Sequence, residues 1–482
     1  MKKIIRLYLP ASLLLASAGI WGAMLLYAGQ TTVPRGVTAG GLPIGGLQVN
    51  EADDLLLRES GRLMAQPITL VSQEPPLSIK ADWSKAGLSL RSDALLQALD
   101  QLQEGSLWQR VKFRYTFTKI WSLEVHYDES VLKKSLNSEW EARQFGALKN
   151  AERVIKPGDQ ISYIPEVKAL RIKWDTLGAA LIAKAPRTLD AGDAGAASDA
   201  DRDPGSQPVQ VQLPLGMADP PVTVSSLKAQ GVNRRVSMLT TRLTGASGRL
   251  HNVEAAAKII DGMLLAPGEV FDYGKVVREA ESKYGFREAP VIIQGRLVPG
   301  IGGGICQVSG TLYGAVIRAG LEVVERRSHS RPVSYLPKGQ DATFSTGYIN
   351  FKFKNNTSGY LLISAKAVNG TMTVKLFGSL PSGVHYEIRS KTVKTLSPGV
   401  RYVSNPALPA GLRQMLQQGT PGYVVETYRT KWTNGNPGKE ELLSRDTYPA
   451  QPAVVAVRTA ASDPGAGQTP PEPQIIEDGV KE

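Results

Sequence analysis

The chain has 482 residues, too many for one hydrophobic core, so two to four domains are expected. Hydrophobic residues make up 42% and charged residues 21% of the chain, a globular balance that excludes a largely disordered protein. Lys and Arg number 56 against 44 Asp and Glu, and the resulting net charge of +12 favours polyanionic partners such as nucleic acid, anionic lipid headgroups or acidic wall polymers.

The first element in the chain is an apolar segment. Residues 7–28 contain no charged side chain and follow three basic residues among the first six. Because about 20 apolar residues cross a bilayer and positive flanks stay in the cytoplasm, we expect a cytoplasmic tail at 1–6 and a transmembrane anchor at 7–28. A cleavable signal peptide is the alternative, since Ala16-Ser17-Ala18 resembles a cleavage site. With either segment, the rest of the chain is predicted to lie outside the cytoplasm. With the anchor, the protein is predicted to be a single-pass protein of the cell membrane.

This location selects among the expected partners. Outside the cytoplasm, nucleic acid is not an expected partner, whereas wall polymers are, and the anchor makes the cytoplasmic membrane a second partner. The compartment permits disulfides, but Cys306 is the only cysteine, so none can form within one chain.

The predicted fold class is α+β, in several domains after the single transmembrane helix. Residues 50–186 alternate short strand patterns with helical ones and predict an α+β module that faces the wall. Residues 187–215, rich in Asp, Ala, Gly, Ser and Pro, predict a flexible linker. A second α+β domain is expected at 236–378, with a helix over 251–264 and mainly strands from 322 onward. Two further ranges follow it: a small β-rich module at 386–459 and a polar, Pro-rich tail at 460–482 that we expect to be disordered.

The segment with most chemical information surrounds Cys306. Gly302, Gly303 and Gly304 precede it, and the pattern that follows predicts a helix with Cys306 in its first turn. A helix N-terminus favours thiolate over thiol, and its unpaired N–H groups can stabilise an oxyanion on an acyl substrate. Cys306 is therefore a candidate nucleophile. The alternative is a small buried residue at a tight contact, which is a common role for free cysteine.

A cysteine nucleophile needs a base, and His329 is the candidate, with Asp341 as the carboxylate that would orient it. Spacing alone does not bring these residues together. His329 also lies in the basic run Arg326-Arg327-Ser328-His329-Ser330-Arg331, which can instead bind an anionic polymer or a phosphate. Asp341 can be a turn residue beside Gly339.

Five phrases of the second domain, which is about 140 residues long, resemble the signature phrases of the VanW family and follow the family's order. They are His251-Asn252-Val253, Leu265-Ala266-Pro267-Gly268-Glu269-Val270-Phe271, the run from Gly302 to Tyr313, Arg326-Arg327-Ser328-His329-Ser330, and Gly339-Gln340-Asp341-Ala342-Thr343. The region before the linker resembles the YoaR-like peptidoglycan-binding domain, and the C-terminal part resembles glycine-rich adhesion-type modules. The resemblance implies a cell-envelope setting, linked by name to vancomycin resistance, but it implies no reaction.

Two functions are therefore carried forward from the sequence. The first is a membrane-anchored, wall-associated protein that binds peptidoglycan or an attached anionic polymer. The alternative is a Cys-dependent acyl-transfer enzyme, transpeptidase-like or amidase-like, that acts on wall peptides. No cofactor is expected, and one cysteine with scattered histidines predicts no metal site. The candidate catalytic residues are Cys306, His329 and Asp341, and the candidate ligand-binding residues are Gly302, Gly303, Gly304, Gln307, Arg327 and Arg331.

Overall fold

The computed structural model describes residues 17–189, 208–293, 296–458 and 476–480. The chain divides into two compact units. Unit 1 contains Met1–Asn150 and Glu166–Pro221, and unit 2 contains Ala151–Pro165 and Val222–Glu482. Each unit has a hydrophobic core of its own.

Unit 1 mixes helices with small sheets. Its helices are α1 (described over 17–28), α2 (Val49–Met64), α3 (Asp93–Gln101), α4 (Leu107–Tyr115), α5 (Glu129–Ser135), α6 (Ser138–Phe145) and α7 (Trp174–Lys184). Its strands are β1 (Thr38–Ala39), β2 (Leu42–Pro43), β3 (Pro67–Ser72), β4 (Leu77–Asp82), β5 (Leu88–Arg91), β6 (Ile120–Trp121), β7 (Glu124–Tyr127), β10 (Ala169–Ile172), β11 (Val209–Gln212) and β12 (Leu215–Ala218). The strands pair in the orders β2-β1-β6, β11-β3-β4, β5-β7 and β10-β12.

Local sequence explains several of these elements. Helix α3 begins where the Ser92 hydroxyl accepts the backbone N–H of Leu95, as a helix-capping serine does. Strand β3 is the central strand between β11 and β4, and three consecutive residues in it, Ile68, Thr69 and Leu70, are buried. The core of the unit includes Trp83 and Leu177, which are almost fully buried.

The prediction of a membrane-spanning helix over residues 7–28 is wrong, and with it the single-pass location in the cell membrane. In the ranges that the structure describes, no helix combines the length and the apolar character that a bilayer crossing needs. Residues 1–16, with the predicted cytoplasmic tail, lie outside the described residues. The cytoplasmic membrane therefore has no support as a partner through this helix.

Unit 2 contains the helices and strands of the second domain and of the C-terminal part. Its helices are α8 (Val224–Ala229), α9 (Ser247–Ile260), α10 (Tyr273–Tyr284) and α11 (Ile305–Arg318). Its strands up to residue 378 are β8 (Glu152–Lys156), β9 (Gln160–Ile164), β13 (Arg234–Arg242), β14 (Leu264–Leu265), β15 (Val270–Asp272), β16 (Glu288–Ile293), β17 (Arg296–Ile301), β18 (Glu322–Glu325), β19 (Lys352–Lys354), β20 (Leu361–Val368) and β21 (Thr371–Gly378). The later strands are β22 (Val384–Leu396), β23 (Val400–Ser404), β24 (Arg413–Gln417), β25 (Gly422–Thr433), β26 (Asn436–Tyr448), β27 (Ala453–Val457) and β28 (Ile476–Glu477).

Helix α11 runs through the core of unit 2. All its residues except Arg318 are buried. It packs against α9 and against β13 and β21 of the antiparallel sheet β13-β21-β20-β14. A helix that is small or apolar on every side is buried on every side, and α11 fits that rule. Its N-terminus therefore lies deep in the domain, and any chemistry there is shielded from bulk water.

The C-terminal module, residues 384–457, is β-rich. Strands β22, β25 and β26 form one antiparallel sheet, and β23, β27 and β24 form another with a parallel pair between β23 and β27. Both strand pairings of the first sheet carry register shifts. The pairing of β22 with β25 shifts between Thr392 and Lys394, and the pairing of β25 with β26 shifts between Thr427 and Tyr428 and again between Thr430 and Trp432. Such bulges bend and twist long exposed strands.

Two predicted irregular segments contain ordered elements. The range predicted as a linker, 187–215, includes strand β11, while residues 190–207 lie outside the described residues. The range predicted as a disordered tail, 460–482, includes strand β28, which pairs with β16. Residues 460–475 and 481–482 of that range lie outside the described residues. The described part of the tail, 476–480, is largely buried in unit 2.

Candidate active site at the start of helix α11

The turn before α11 depends on its glycines. Gly302 and Gly304 have φ angles of +84° and +106°, which side-chain-bearing residues rarely adopt. Gly303 has no space for a side chain, because a Cβ there would lie 2.5 Å from the carbonyl oxygen of Pro290. This turn therefore brings the backbone of strand β16 against the first residues of α11.

Cys306 lies in the first turn of α11, with Gly304 as the N-cap residue, as the sequence predicted. The residue is fully buried, with 0% of its surface exposed. Its Sγ accepts the backbone N–H of Phe344 at 3.1 Å and lies 3.6 Å from the Thr343 hydroxyl. A donor aimed at sulfur stabilises the thiolate relative to the thiol.

His329 and Asp341 form a buried pair. The Nδ1 atom of His329 lies 2.7 Å from Oδ2 of Asp341, and the backbone N–H of His329 donates to the same oxygen at 2.8 Å. Both side chains are at most 1% exposed. On the other side of the ring, Nε2 is buried and has no hydrogen-bond partner among the described residues. The thiol of Cys306 is close enough to this imidazole for each group to shift the pKa of the other.

The electrostatics of the three groups follow from burial and from their mutual contacts. Burial raises the pKa of the Cys306 thiol, and the negative charge of Asp478 raises it further, although His329 acts in the opposite direction. Burial alone would lower the pKa of His329, but Asp341 and Cys306 raise it well above its usual range. Burial would raise the pKa of Asp341, yet the bond from His329 and the charge of Arg326 lower it to about 2. Asp341 is therefore a carboxylate that holds the His329 ring beside the thiol and favours its protonated form.

Two further residues, Arg326 and Tyr448, hold Asp341 in place. The Arg326 guanidinium donates to the Asp341 backbone carbonyl at 2.7 Å, and it pairs with Asp446 of the C-terminal module. The Tyr448 hydroxyl of that module donates to Oδ1 of Asp341 and accepts the Gly339 N–H at 2.7 Å. A buried carboxylate with both oxygens engaged has a fixed position.

The N–H groups at the start of α11 are engaged by the C-terminal tail. Oδ1 of Asp478 accepts the backbone N–H of Cys306 at 2.7 Å and that of Gly304 at 3.1 Å. Its Oδ2 lies 3.5 Å from Nη1 of Arg249. An anion at a helix N-terminus is stabilised by these N–H groups and by the helix dipole. The carboxylate therefore occupies an anion-binding position next to the thiol.

The arrangement has the order of a thiol, an imidazole and an orienting carboxylate. When His329 is neutral, the bond to Asp341 keeps its proton on Nδ1, and Nε2 presents a lone pair; the raised pKa favours the imidazolium, which carries a second N–H at Nε2. Within the described ranges, no group of three or more His, Cys, Asp or Glu side chains is placed to hold a metal ion. A thiol, an imidazole and a carboxylate in this order can supply nucleophilic and acid–base chemistry.

Family models match two consecutive parts of unit 2. The model described as VanW like protein matches residues 248–377, and the model described as G5 domain matches residues 387–460. The first match contains the glycine turn, Cys306, His329 and Asp341. Residues 248–377 of this chain are therefore a VanW-like domain.

Two relatives support the assignment. Uncharacterized protein YoaR of Bacillus subtilis (strain 168) is 39% identical over 176 residues, which are 36% of this chain and 58% of that protein. Vancomycin B-type resistance protein VanW of Enterococcus faecalis (strain ATCC 700802 / V583) is 33% identical over 114 residues, which are 23% of this chain and 42% of that protein. The chain thus spans less than two thirds of the length of either relative.

Two solved structures are similar to a small part of the chain. The crystal structure of HP0197-G5 is 22% identical and covers 16% of this chain and 99% of that one, with a TM-score of 0.12. The IgA1 protease G5 domain structure is 25% identical and covers 16% of this chain and 92% of that one, with a TM-score of 0.13. TM-scores of this size carry no argument about function.

The VanW domain brings together the three predicted catalytic residues, Cys306, His329 and Asp341, although their role in catalysis stays a prediction. Of the predicted ligand-binding residues, Gly302 and Gly304 form the turn itself. Gln307 is buried and its amide is engaged within the domain, accepting from Arg249 and donating to Thr241 and to the Arg242 carbonyl. Arg327 is exposed and Arg331 is half-buried. Ligand binding by Gln307, Arg327 and Arg331 is likewise still a prediction.

Sequence reasoning missed the residues that arrive from far along the chain. Tyr448, Asp446 and Asp478 all touch the site, from the C-terminal module and from the tail. Their contacts span more than 100 residues of sequence, and no local pattern encodes them. One signal was available: Glu477 and Asp478 are followed by Gly479, the composition of a turn rather than of a featureless tail.

Proposed function

We propose that this protein is associated with the cell wall and that its VanW domain carries a cysteine-dependent centre for acyl transfer or hydrolysis on wall peptides. The observation that carries the proposal is the position of His329. Its Nδ1 is bonded to Asp341, its Nε2 has no hydrogen-bond partner among the described residues, and its ring is close enough to the Cys306 thiol for each group to shift the pKa of the other. The wall setting is supported by the relative whose name links it to vancomycin resistance and by the G5 match.

The proposed chemistry uses groups already in place. The reactive form has a neutral His329, which becomes populated as pH rises through the raised pKa of that residue. The thiol proton of Cys306 passes to Nε2 of this imidazole, and Sγ attacks the carbonyl carbon of a peptide bond, so that a C–S bond forms and the carbonyl oxygen becomes an oxyanion. The backbone N–H groups of Gly304 and Cys306 stabilise that oxyanion. The C–N bond then breaks as His329 returns the proton to the leaving amine, which leaves a thioester. Water or a second amine attacks the thioester and regenerates the thiol.

Asp341 has a positioning role in this scheme. Its carboxylate keeps the His329 tautomer fixed and stabilises the imidazolium that forms after proton transfer. Arg326 and Tyr448 keep the carboxylate itself in place. The C-terminal module therefore supports the proposed centre directly.

The test is turnover of peptidoglycan peptides by the full chain. Purified sacculi or soluble wall peptides are incubated with the protein, and mass spectrometry follows released amines, new cross-links and an acyl adduct on Cys306. Cys306→Ala should abolish the adduct and the products, and His329→Gln should reduce the rate by at least about 100-fold. His385→Gln is the matched control, because His385 is exposed in the C-terminal module. Equal product formation by Cys306→Ala and the unchanged protein would exclude the cysteine mechanism.

A second candidate function is binding of peptidoglycan or an attached anionic polymer without chemistry. The observation in its favour is the complete burial of Cys306, since a nucleophile must reach its substrate. The net charge of +12 fits an anionic ligand. Retention of the full chain on purified sacculi, falling as salt rises from low to high ionic strength, tests this function. Retention by Cys306→Ala equal to that of the unchanged protein, with no turnover by either, would favour binding alone.

A further inference from the structure

Residues 476–480 occupy a groove beside the proposed centre as an added strand. Glu477 and Ile476 pair antiparallel with Ile292 and Ile293 of β16. The Val480 N–H then donates to the Ile301 carbonyl at 3.0 Å, and the Val480 side chain is part of the hydrophobic core. Strand addition of this kind is a common mode of peptide recognition, with main-chain bonds for affinity and side-chain pockets for specificity.

The side chain of Asp478 lies where a substrate carbonyl would react. Its Oδ1 is 2.7 Å from the Cys306 nitrogen and 3.1 Å from the Gly304 nitrogen. These are the distances expected between N–H donors and the oxyanion of an acyl-transfer intermediate, so Oδ1 stands in for that oxygen. Asp478 has a φ angle of +59°, which is uncommon for a residue with a side chain. The backbone is bent there, next to the thiol.

Two buried polar atoms near this position lack partners within the described residues. One is Nε2 of His329, whose side chain is 0% exposed. The other is the hydroxyl oxygen of Tyr335, which is buried and close enough to Asp478 and Cys306 for both to raise its pKa, after the larger effect of burial. Buried polar atoms without partners cost stability, and at a functional site they often await a ligand. Residues 476–480 thus fill the groove without completing its hydrogen bonds.

A second acidic side chain of the tail is recognised as well. Oε2 of Glu477 accepts both the backbone N–H and the hydroxyl of Ser330, each at 2.9 Å. Ser330 directly follows His329. The groove therefore binds two consecutive carboxylates, one beside the imidazole and one at the helix N-terminus.

We propose that this groove is the peptide-binding groove of the Cys306 centre, that its ligand is an extended acidic peptide, and that residues 476–480 occupy it as an internal pseudo-substrate. This inference rests on the proposed function for the role of Cys306, and it adds the ligand class and the covered state. Because Asp478 fills the oxyanion position, no substrate carbonyl can enter while the tail is in place. Release of the tail uncovers both the thiol and the N–H donors.

The first test measures access to the thiol in the full chain. Cys306 is the only cysteine, so iodoacetamide labelling followed by mass spectrometry reports on this site alone. Gly479→Val should displace the tail, because a Cβ at Gly479 would lie 2.6 Å from the Val291 side chain and 2.9 Å from the Ile301 carbonyl oxygen. We expect labelling to be at least tenfold faster in Gly479→Val and in Asp478→Ala than in the unchanged protein.

Matched controls separate this effect from general loosening. Gly399→Val adds the same side chain where no atom lies within 4 Å of a Cβ, and Glu104→Ala removes one exposed carboxylate from unit 1. Both controls should label at the rate of the unchanged protein, with thermal melting measured on every variant. Equal labelling rates in Gly479→Val, Asp478→Ala and the unchanged protein would overturn the pseudo-substrate assignment.

The second test measures recognition of the peptide itself. A fluorescein-labelled peptide Ile-Glu-Asp-Gly-Val is titrated into the Gly479→Val protein and followed by fluorescence anisotropy. We expect saturable binding of this peptide to the Gly479→Val protein, and at least tenfold weaker binding of the neutral peptide Ile-Gln-Asn-Gly-Val to the same protein. The unchanged protein, in which the groove is occupied, should bind the acidic peptide more weakly still. Absence of binding, or equal binding of the neutral peptide, would refute the ligand class.

The outcomes distinguish this inference from the function on which it rests. Faster labelling and selective binding of the acidic peptide, with no turnover of wall peptides, would support the groove and reject the cysteine mechanism. Turnover that depends on Cys306, with no effect of Gly479→Val on labelling and no peptide binding, would support the mechanism and reject the groove.

Discussion

At the residue scale, the site is held by a buried ion pair rather than by an apolar contact. His329 and Asp341 are both almost fully buried, and their charges are compensated by each other, by Arg326 and by the Tyr448 hydroxyl. Breaking a buried pair of this kind is costly, because the remaining charge is left without compensation. The stability of the VanW domain should therefore respond to the protonation of both partners.

The pH dependence of unfolding follows from the two pKa shifts. Folding lowers the pKa of Asp341 from 3.8 to about 2, which corresponds to a contribution on the order of 2 kcal/mol to the free energy of unfolding. This contribution is present above pH 3.8 and is lost as pH falls toward 2. The pKa of His329 rises well above 6.5, so its contribution is present below pH 6.5 and is lost as pH rises through the raised value. Urea unfolding of the unchanged protein and of His329→Gln, compared from pH 2 to pH 9, should differ most between about pH 4 and 6.5. A pH-independent difference would contradict this assignment of charges.

Tyr448 offers a test of the link between the site and the C-terminal module. Tyr448→Phe removes a hydroxyl that bonds to Asp341 and to the Gly339 N–H, and leaves both buried groups with one partner fewer. We expect a loss of about 1–3 kcal/mol in the free energy of unfolding. Tyr402→Phe, at a ring that is 54% exposed in the same module, should change it by no more than about 0.5 kcal/mol. Chemical denaturation of both variants measures the difference, and equal small losses would show that the Tyr448 bond contributes little.

At the element scale, sequence patterns located the start of α11 and the cysteine in its first turn, because glycines and the apolar run that follows are local signals. Other boundaries were less accurate. The helix predicted over 251–264 is Ser247–Ile260, since Gly262 turns the chain with a φ of +87° and Leu264–Leu265 pair with β20. In the range predicted to be mainly strands from 322 onward, residues 326–351 form no strand, and residues 345–349 close a turn. Strand pairing and turns in the folded domain set the boundaries of these elements, and the periodicity of the sequence contains no information about them.

The glycine turn before α11 makes the clearest prediction at this scale. Gly303→Ala places a Cβ within 2.7 Å of the Ala289 carbonyl group and within 2.5 Å of the Pro290 oxygen, all backbone atoms that cannot rotate away. We expect a loss of several kcal/mol in the free energy of unfolding, among the large effects that follow from overpacking. Gly399→Ala, with open space around its Cβ, should stay within about 0.5 kcal/mol. Thermal and urea unfolding compare the two, and a neutral Gly303→Ala would mean that β16 can move away from α11.

At the scale of the whole molecule, composition and linker patterns predicted several domains but not the contacts that complete the site. Asp478 and Tyr448 reach Cys306 and Asp341 across 172 and 107 residues of sequence. A segment with the composition of a disordered tail is buried because its few side chains match a particular groove, and such complementarity has no periodic signature. The membrane anchor, by contrast, was predicted from local composition and is wrong. Residues 7–28 contain no charged side chain, yet no described helix has the length and apolar character of a membrane span.

The two separate cores predict how the whole chain unfolds. Leu177 belongs to the core of unit 1 and Ile363 to that of unit 2, and each is 0% exposed. Leu177→Ala and Ile363→Ala should each cost about 2–5 kcal/mol in the unit that contains the residue. Because the two core clusters are distinct, we expect two transitions in differential scanning calorimetry, with each substitution lowering the midpoint of only one of them by several degrees.

Leu57→Ala in unit 1 and Leu297→Ala in unit 2 are matched controls, since these leucines are 65% and 61% exposed and should leave both midpoints nearly unchanged. A single transition that both core substitutions lower equally would show that the units unfold as one cooperative body, and that loosening unit 1 also loosens the Cys306 site.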